Sequence, residues 1–132
     1  MTPAQRFGSA RVARLATVTP DGAPHLVPIV FALVGDVVHT AVDGKPKRHR
    51  GLQRLVNIAH EPRVSVLVDH YDEDWSALWW VRADGPASVV DDPEPALLAR
   101  YPQYALSPPP GPYLRIRVER WTAWSGAGAQ VV

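Results

Sequence analysis

The sequence predicts a mainly β fold, an antiparallel barrel of six or seven strands with one main helix and one or two short helices. Three observations carry this expectation. Short apolar or alternating runs recur along the 132 residues, closed by turn signals such as TPDG, GD and DG. Only residues 49–60 show convincing helical spacing. Fourteen prolines, spread through the chain, favour short elements joined by defined turns, and turn-linked strands favour a barrel over a doubly wound sheet. A single domain over 1–132 is expected at this length.

Taken in order, residues 3–14 read as a short helix with Thr2 as N-cap and Pro3 at the first helical position. Leu15–Thr19 is a strand ended by Thr19-Pro20-Asp21-Gly22. Ala23–Val34 is the most apolar run, with Leu26, Val30 and Val34 on one parity and Val27, Ile29 and Phe31 on the other. That pattern predicts a central strand covered on both faces. Pro28 lacks a ladder donor, so a bulge or unpaired position is expected there; it would either expose backbone to a flat ligand or merely mark a sheet rim. Val37–Val42 is a strand between Gly35-Asp36 and Asp43-Gly44.

In the helix over 49–60, Leu52, Leu55, Val56 and Ala59 form one apolar stripe, predicted to pack across the barrel. It ends at His60-Glu61-Pro62, because proline disfavours helical geometry in the residue before it. Arg63–Asp69 alternates, with Val64, Val66 and Val68 on one face. A polar loop, HYDED, then leads to two strands placed around Ala83-Asp84-Gly85, with Trp75, Ala77, Trp79 and Val81 sharing a face. Asp91-Asp92-Pro93-Glu94 opens a short helix through about Tyr101, its acidic residues near the positive helix end. Ser107–Pro112 is a stiff connection, and Tyr113–Trp121 a strand with Leu114, Ile116 and Val118 inward.

Composition excludes several classes of chemistry. A net charge of +1 gives no general attraction to nucleic acid, and no stretch approaches 18 uncharged apolar residues, so neither a signal peptide nor a membrane span is read and a cytoplasmic protein is expected. The chain has no cysteine, which removes disulfides, zinc–thiolate sites and thiol nucleophiles. His25, His39, His49, His60 and His70 are scattered singly, without metal-ligand spacing. There is no Walker loop, GxGxxG after the first strand, GxSxG or HExxH, and no nucleophile supported by a base. No catalytic side chain is therefore assigned, and if the protein is an enzyme a cofactor carries the reaction.

The remaining signal is the basic run GKPKRHR before the helix, where Lys45, Lys47, Arg48 and Arg50 have no carboxylate between residues 44 and 60. Four cations ahead of a helix N-terminus suit a phosphate, through charge-assisted bonds and orphan N–H groups; a solvated charge run is the alternative. The five tryptophans exceed what one small barrel holds and predict a homodimer interface.

The segments VARLATVTPDGAPHLVPIVF, HTAVDGKPK, LVNIAHEPRVSVLVD and the tryptophan-rich strand after DEDW give a further lead. Over about Phe7–Trp124 they resemble the flavin- or deazaflavin-binding split-barrel family related to pyridoxamine 5′-phosphate oxidase, and most of all its small coenzyme F420-using actinobacterial members. The resemblance implies a split β-barrel whose phosphate site falls on Lys45 and Lys47, with Thr40 and Arg48 nearby. It places a flat ring over the backbone of Val27, Pro28 and Ile29, in a pocket completed by a partner subunit. Trp75 is a further candidate against the ring, and Arg50 or Arg54 against the acidic tail of F420. The expected activity is hydride transfer between F420 and a small conjugated or quinone-like substrate. FMN-dependent oxidation or reduction, and non-catalytic flavin or haem binding, are the alternatives. Vitamin-forming members run longer and end in an Arg-x-His-type segment; this sequence ends WSGAGAQVV, so vitamin oxidation is not expected.

Overall fold

The computed structural model describes residues 1–42 and 48–128, with backbone alone for 48–52. Helix α1 spans Pro3–Ser9 and opens as expected: the Thr2 hydroxyl accepts from the Gln5 N–H at 3.1 Å, and the Gln5 side chain accepts from the Thr2 N–H at 2.9 Å. It stops well before residue 14, because Ala13 already belongs to strand β1 (Ala13–Val18). Phe7 anchors α1 to the core, its ring 5.0 Å from Phe31 and 5.1 Å from Trp121.

The apolar run 23–34 is not one central strand. It forms β2 (Pro24–Ile29) and β3 (Ala32–Val34), separated at Val30-Phe31. Among the described residues β2 pairs only with β1, from Ala13–Ile29 to Val18–Pro24, so it lies at a sheet edge and Leu26 is 67% exposed. Pro28 sits in register opposite Arg14 without the expected bulge, since an edge strand has one side on which no ladder donor is needed.

Strand β4 (Val37–Ala41) follows, then helix α2 (Arg48–His60) and strand β5 (Arg63–His70), whose Val64, Val66 and Val68 are buried as the alternation predicts. Trp75–Ala77 is a single 3-10 turn rather than the start of a strand; Asp74 caps it by accepting from the Ser76 N–H. Strand β6 runs unbroken over Trp79–Val90. Helices α3 (Pro95–Arg100) and α4 (Pro102–Leu106) precede β7 (Tyr113–Arg117) and β8 (Arg120–Ser125).

Ala83-Asp84-Gly85 therefore makes no turn. β6 pairs with β8 over Trp79–Asp84 and with β7 over Ala87–Val90, and Gly85 is the corner between the two ladders. Opposite it, Val118-Glu119 breaks the expected Tyr113–Trp121 strand into β7 and the start of β8, with the Val118 N–H donating to Asp36 O and the Glu119 N–H to Asp84 O. A β-carbon on Gly85 would lie 1.9 Å from the Arg117 carbonyl oxygen, so the bend requires glycine for close approach and not for a turn. The eight strands of the described residues run β2-β1-β5-β6-β7-β4-β3, with β8 on β6. Every pairing is antiparallel, so the mainly β, split-barrel expectation holds with one strand more than its upper count.

The ends of this curled sheet, β2 and β3, are joined by two residues but share no ladder. Side chains close that seam. The Thr40 hydroxyl donates to Val30 O at 2.7 Å; the Tyr101 hydroxyl accepts from the Phe31 N–H at 3.0 Å and lies 2.7 Å from Phe31 O. The Arg100 guanidinium donates to Phe31 O at 2.6 Å, to Gly8 O at 2.9 Å and to Ala10 O, tying α1, the seam and α3 together.

Candidate functional site

Helix α2 packs against β1 and β6, with a different face from the one its apolar stripe predicts. Val56 is 49% exposed and Ala59 is also exposed, whereas Arg54, Asn57 and Ile58 are buried and Leu55 half-buried. On that buried face the Asn57 amide donates to the Thr17 hydroxyl at 3.0 Å and accepts from the Gln53 amide at 2.7 Å. A fully buried amide bonded at both ends costs little. This contact is not legible in the sequence, where a lone asparagine in a helix reads as solvated.

The first turn of α2 begins at Arg48 and carries no acidic residue. Arg48 and Arg50 therefore occupy the positive end of the helix dipole, where cations are unfavourable and an anion is favoured. Lys45 and Lys47 lie outside the described residues, as do the side chains of Arg48 and Arg50. Arg54, further along the helix, is 9% exposed and belongs to the buried face.

Val27, Pro28 and Ile29 follow one another on β2, whose edge opposite β1 has no strand beside it among the described residues. The structure brings Thr40 to the end of this segment through its bond to Val30 O. Its hydroxyl proton is committed there and the residue is fully buried, so the side chain positions β2 and does not present a free donor. Trp75 stands apart on the loop after β5, 68% exposed, its indole N–H 3.5 Å from the Tyr71 hydroxyl. Strands β1 and β5 separate it from β2, at the same end of the sheet: Pro28 faces Arg14, and Arg14 faces Leu67 near the end of β5.

Two other features lie near β4 and the far end of the sheet. His39 is buried next to Thr40, its Nε2 3.8 Å from Glu94 Oε1. Burial holds its pKa below the ordinary imidazole value, Glu94 opposing the shift and Arg115 adding to it. A groove of about 380 Å³ runs past Val18, Pro24, Ser65, Asp84 and Arg120; none of the sequence-predicted site residues lines it. Among the described residues no group of three His, Asp or Glu side chains is arranged to hold a metal, and no helix is long and apolar enough to cross a membrane.

Known structures share this architecture. A conserved hypothetical protein from Mycobacterium tuberculosis superposes with a TM-score of 0.74 at 27% identity, covering 93% of this chain and 82% of that one. An FAD-binding protein from Mesorhizobium loti matches with a TM-score of 0.67 at 22% identity, over 90% of this chain and 88% of that one. A heme binding protein from Mycobacterium smegmatis matches with a TM-score of 0.68 at 21% identity, over all of this chain but 57% of that one. No curated protein matches. The family model described as pyridoxamine 5′-phosphate oxidase matches residues 4–125, nearly the whole chain and every strand of the sheet, and the chain belongs to that family.

Proposed function

We propose that the protein is a flavin-type oxidoreductase that holds a phosphate-bearing tricyclic cofactor, coenzyme F420 in preference to FMN, in a pocket shared between two copies of the chain. The observation that carries this reading is the start of α2. A basic run enters the N-terminus of a 13-residue helix whose first turn has no acidic residue, a donor set that fits a phosphate. Lys45 and Lys47 would clamp that phosphate, with Arg48 beside them, and the open edge of β2 at Val27–Ile29 would offer backbone groups to the ring. Arg50 supports F420 over FMN by charge, as a further cation in the run that suits an acidic tail.

When bound, the cofactor supplies hydride transfer to or from a small conjugated or quinone-like substrate. The chain's part is to orient the two flat partners and exclude water, and the exposed Trp75 and Leu26 give a second copy apolar surface to cover.

The test is a fluorescence titration with F420, FMN and riboflavin at fixed salt, on wild type and on Lys45→Ala and Lys47→Ala. Loss of a charge-assisted contact worth roughly 1.5–3 kcal/mol should weaken both phosphate-bearing ligands about ten- to a hundredfold and leave riboflavin unchanged. Unchanged affinity in both variants would remove the basic run from the site. Tighter binding of FMN than of F420 by wild type would overturn the cofactor preference.

A further inference from the structure

The two sides of α2 are inverted relative to its composition. At about 100° per residue, the buried face of Arg54, Asn57 and Ile58 lies roughly opposite the exposed apolar positions Val56 and Ala59. Hydrophobic burial alone would roll the helix the other way. Such a turn would break the Asn57 bond to the buried Thr17 hydroxyl, and Thr17 is fixed within the β1–β2 ladder opposite His25.

We infer that Asn57 is a positioning residue: its bond to Thr17 sets the roll of α2, and with it the direction in which the helix's first turn faces. The inference rests on the reading that this first turn takes the cofactor phosphate, and it adds the residue that aims it. Thr17 and Asn57 touch no ligand in this scheme. They act through the helix, about two and a half turns of backbone connecting Asn57 to Arg48. Ile58, in the core, and half-buried Leu55 also pack in the observed roll, so the bond to Thr17 acts together with them against the pull of Val56 and Ala59.

The chain has no cysteine, so a single thiol introduced as Val56→Cys reports the roll directly. In the observed roll this position is exposed, and the thiol should react with a maleimide at close to the rate of an unstructured peptide. Thr17→Val leaves the buried Asn57 amide without its acceptor. The helix should then turn Asn57 to water and cover the introduced thiol, slowing labelling roughly tenfold or more. Affinity for FMN or F420 should fall about tenfold as the first turn moves away. Adding Asn57→Leu to Thr17→Val makes the contact apolar on both sides and should restore fast labelling and affinity together; Thr17→Ser, which keeps the hydroxyl, should match the parent.

Fast labelling in a folded Thr17→Val variant, or slow labelling in the parent, would overturn the inference. So would a folded double variant in which the introduced thiol stays protected, an outcome that stays readable if Thr17→Val alone does not fold. Labelling is read without cofactor, so it tests the roll of α2 even if the phosphate reading fails the lysine titration.

Discussion

Gly85→Ala should be among the most damaging small substitutions in the chain. The added β-carbon would lie 1.9 Å from the Arg117 carbonyl oxygen and 2.9 Å from its carbon, while ordinary contact begins near 3.4 Å. The opposing backbone must therefore retreat by about 1.5 Å, the difference between those oxygen distances. A side-chain tip could yield that much; a carbonyl held between two ladders cannot do so alone. Its movement pulls on Val118-Glu119, whose N–H groups donate to Asp36 O at 2.8 Å and Asp84 O at 2.9 Å. Losing both bonds costs about 1 kcal/mol each, and the overpacking adds about 1–3 kcal/mol. A total near 3–5 kcal/mol corresponds to a fall in Tm of roughly 11–18 °C for a chain of this size. Thermal unfolding followed by circular dichroism reads it. A variant melting within about 2 °C of wild type would refute the argument that β6 needs glycine for the approach of Arg117.

Two other expectations follow from the polar contacts. Tyr101→Phe keeps the ring but removes the hydroxyl that serves Phe31, leaving the Phe31 N–H without its acceptor; it should cost about 1–3 kcal/mol in a chemical-denaturation series, and an unchanged midpoint would count against the seam. His39, whose pKa is lowered chiefly by burial, binds its proton more weakly folded than unfolded. Its contribution should thus be neutral above the unfolded value of 6.5 and become destabilising as pH falls below it. Glu94 opposes and Arg115 reinforces the shift, so His39→Gln should lose less stability than wild type between about pH 7.5 and 5.5. An identical loss in both proteins would contradict it.

Much of the fold is legible in the sequence because local patterns there agree with the tertiary structure. Thr2 forms the predicted cap, to which the structure adds Gln5, and the alternations at Val64–Val68 and Leu114–Val118 bury the expected parity. Where sequence and structure part, the cause is shared: the decisive partner lies far along the chain. Gly85 reads as a turn residue, yet it answers to Arg117. The 23–34 run reads as one buried strand, yet it breaks where Thr40, Arg100 and Tyr101 claim the backbone of Val30 and Phe31. The stripe on α2 misleads because the bond to Thr17 acts together with Ile58 and Leu55 against the pull of Val56 and Ala59. For the candidate site, the sequence supplies the basic run and the family resemblance, while the structure adds the orientation of α2, the burial of Arg54 and the open edge of β2.

The unpaired seam between β2 and β3 also shapes how the molecule comes together. A ladder closes residue by residue from a neighbouring turn, but Phe31 is held by side chains about 70 positions further on. Forming it means closing a long loop, so the β1–β2 hairpin can assemble early while its junction with β3 waits for α3 to arrive. The same order reversed describes opening: detaching α3 releases Phe31 without breaking a single strand pairing, while Thr40 keeps its bond to Val30. The amide of Phe31 should then exchange with solvent together with the α3 segment rather than with the strands that flank it.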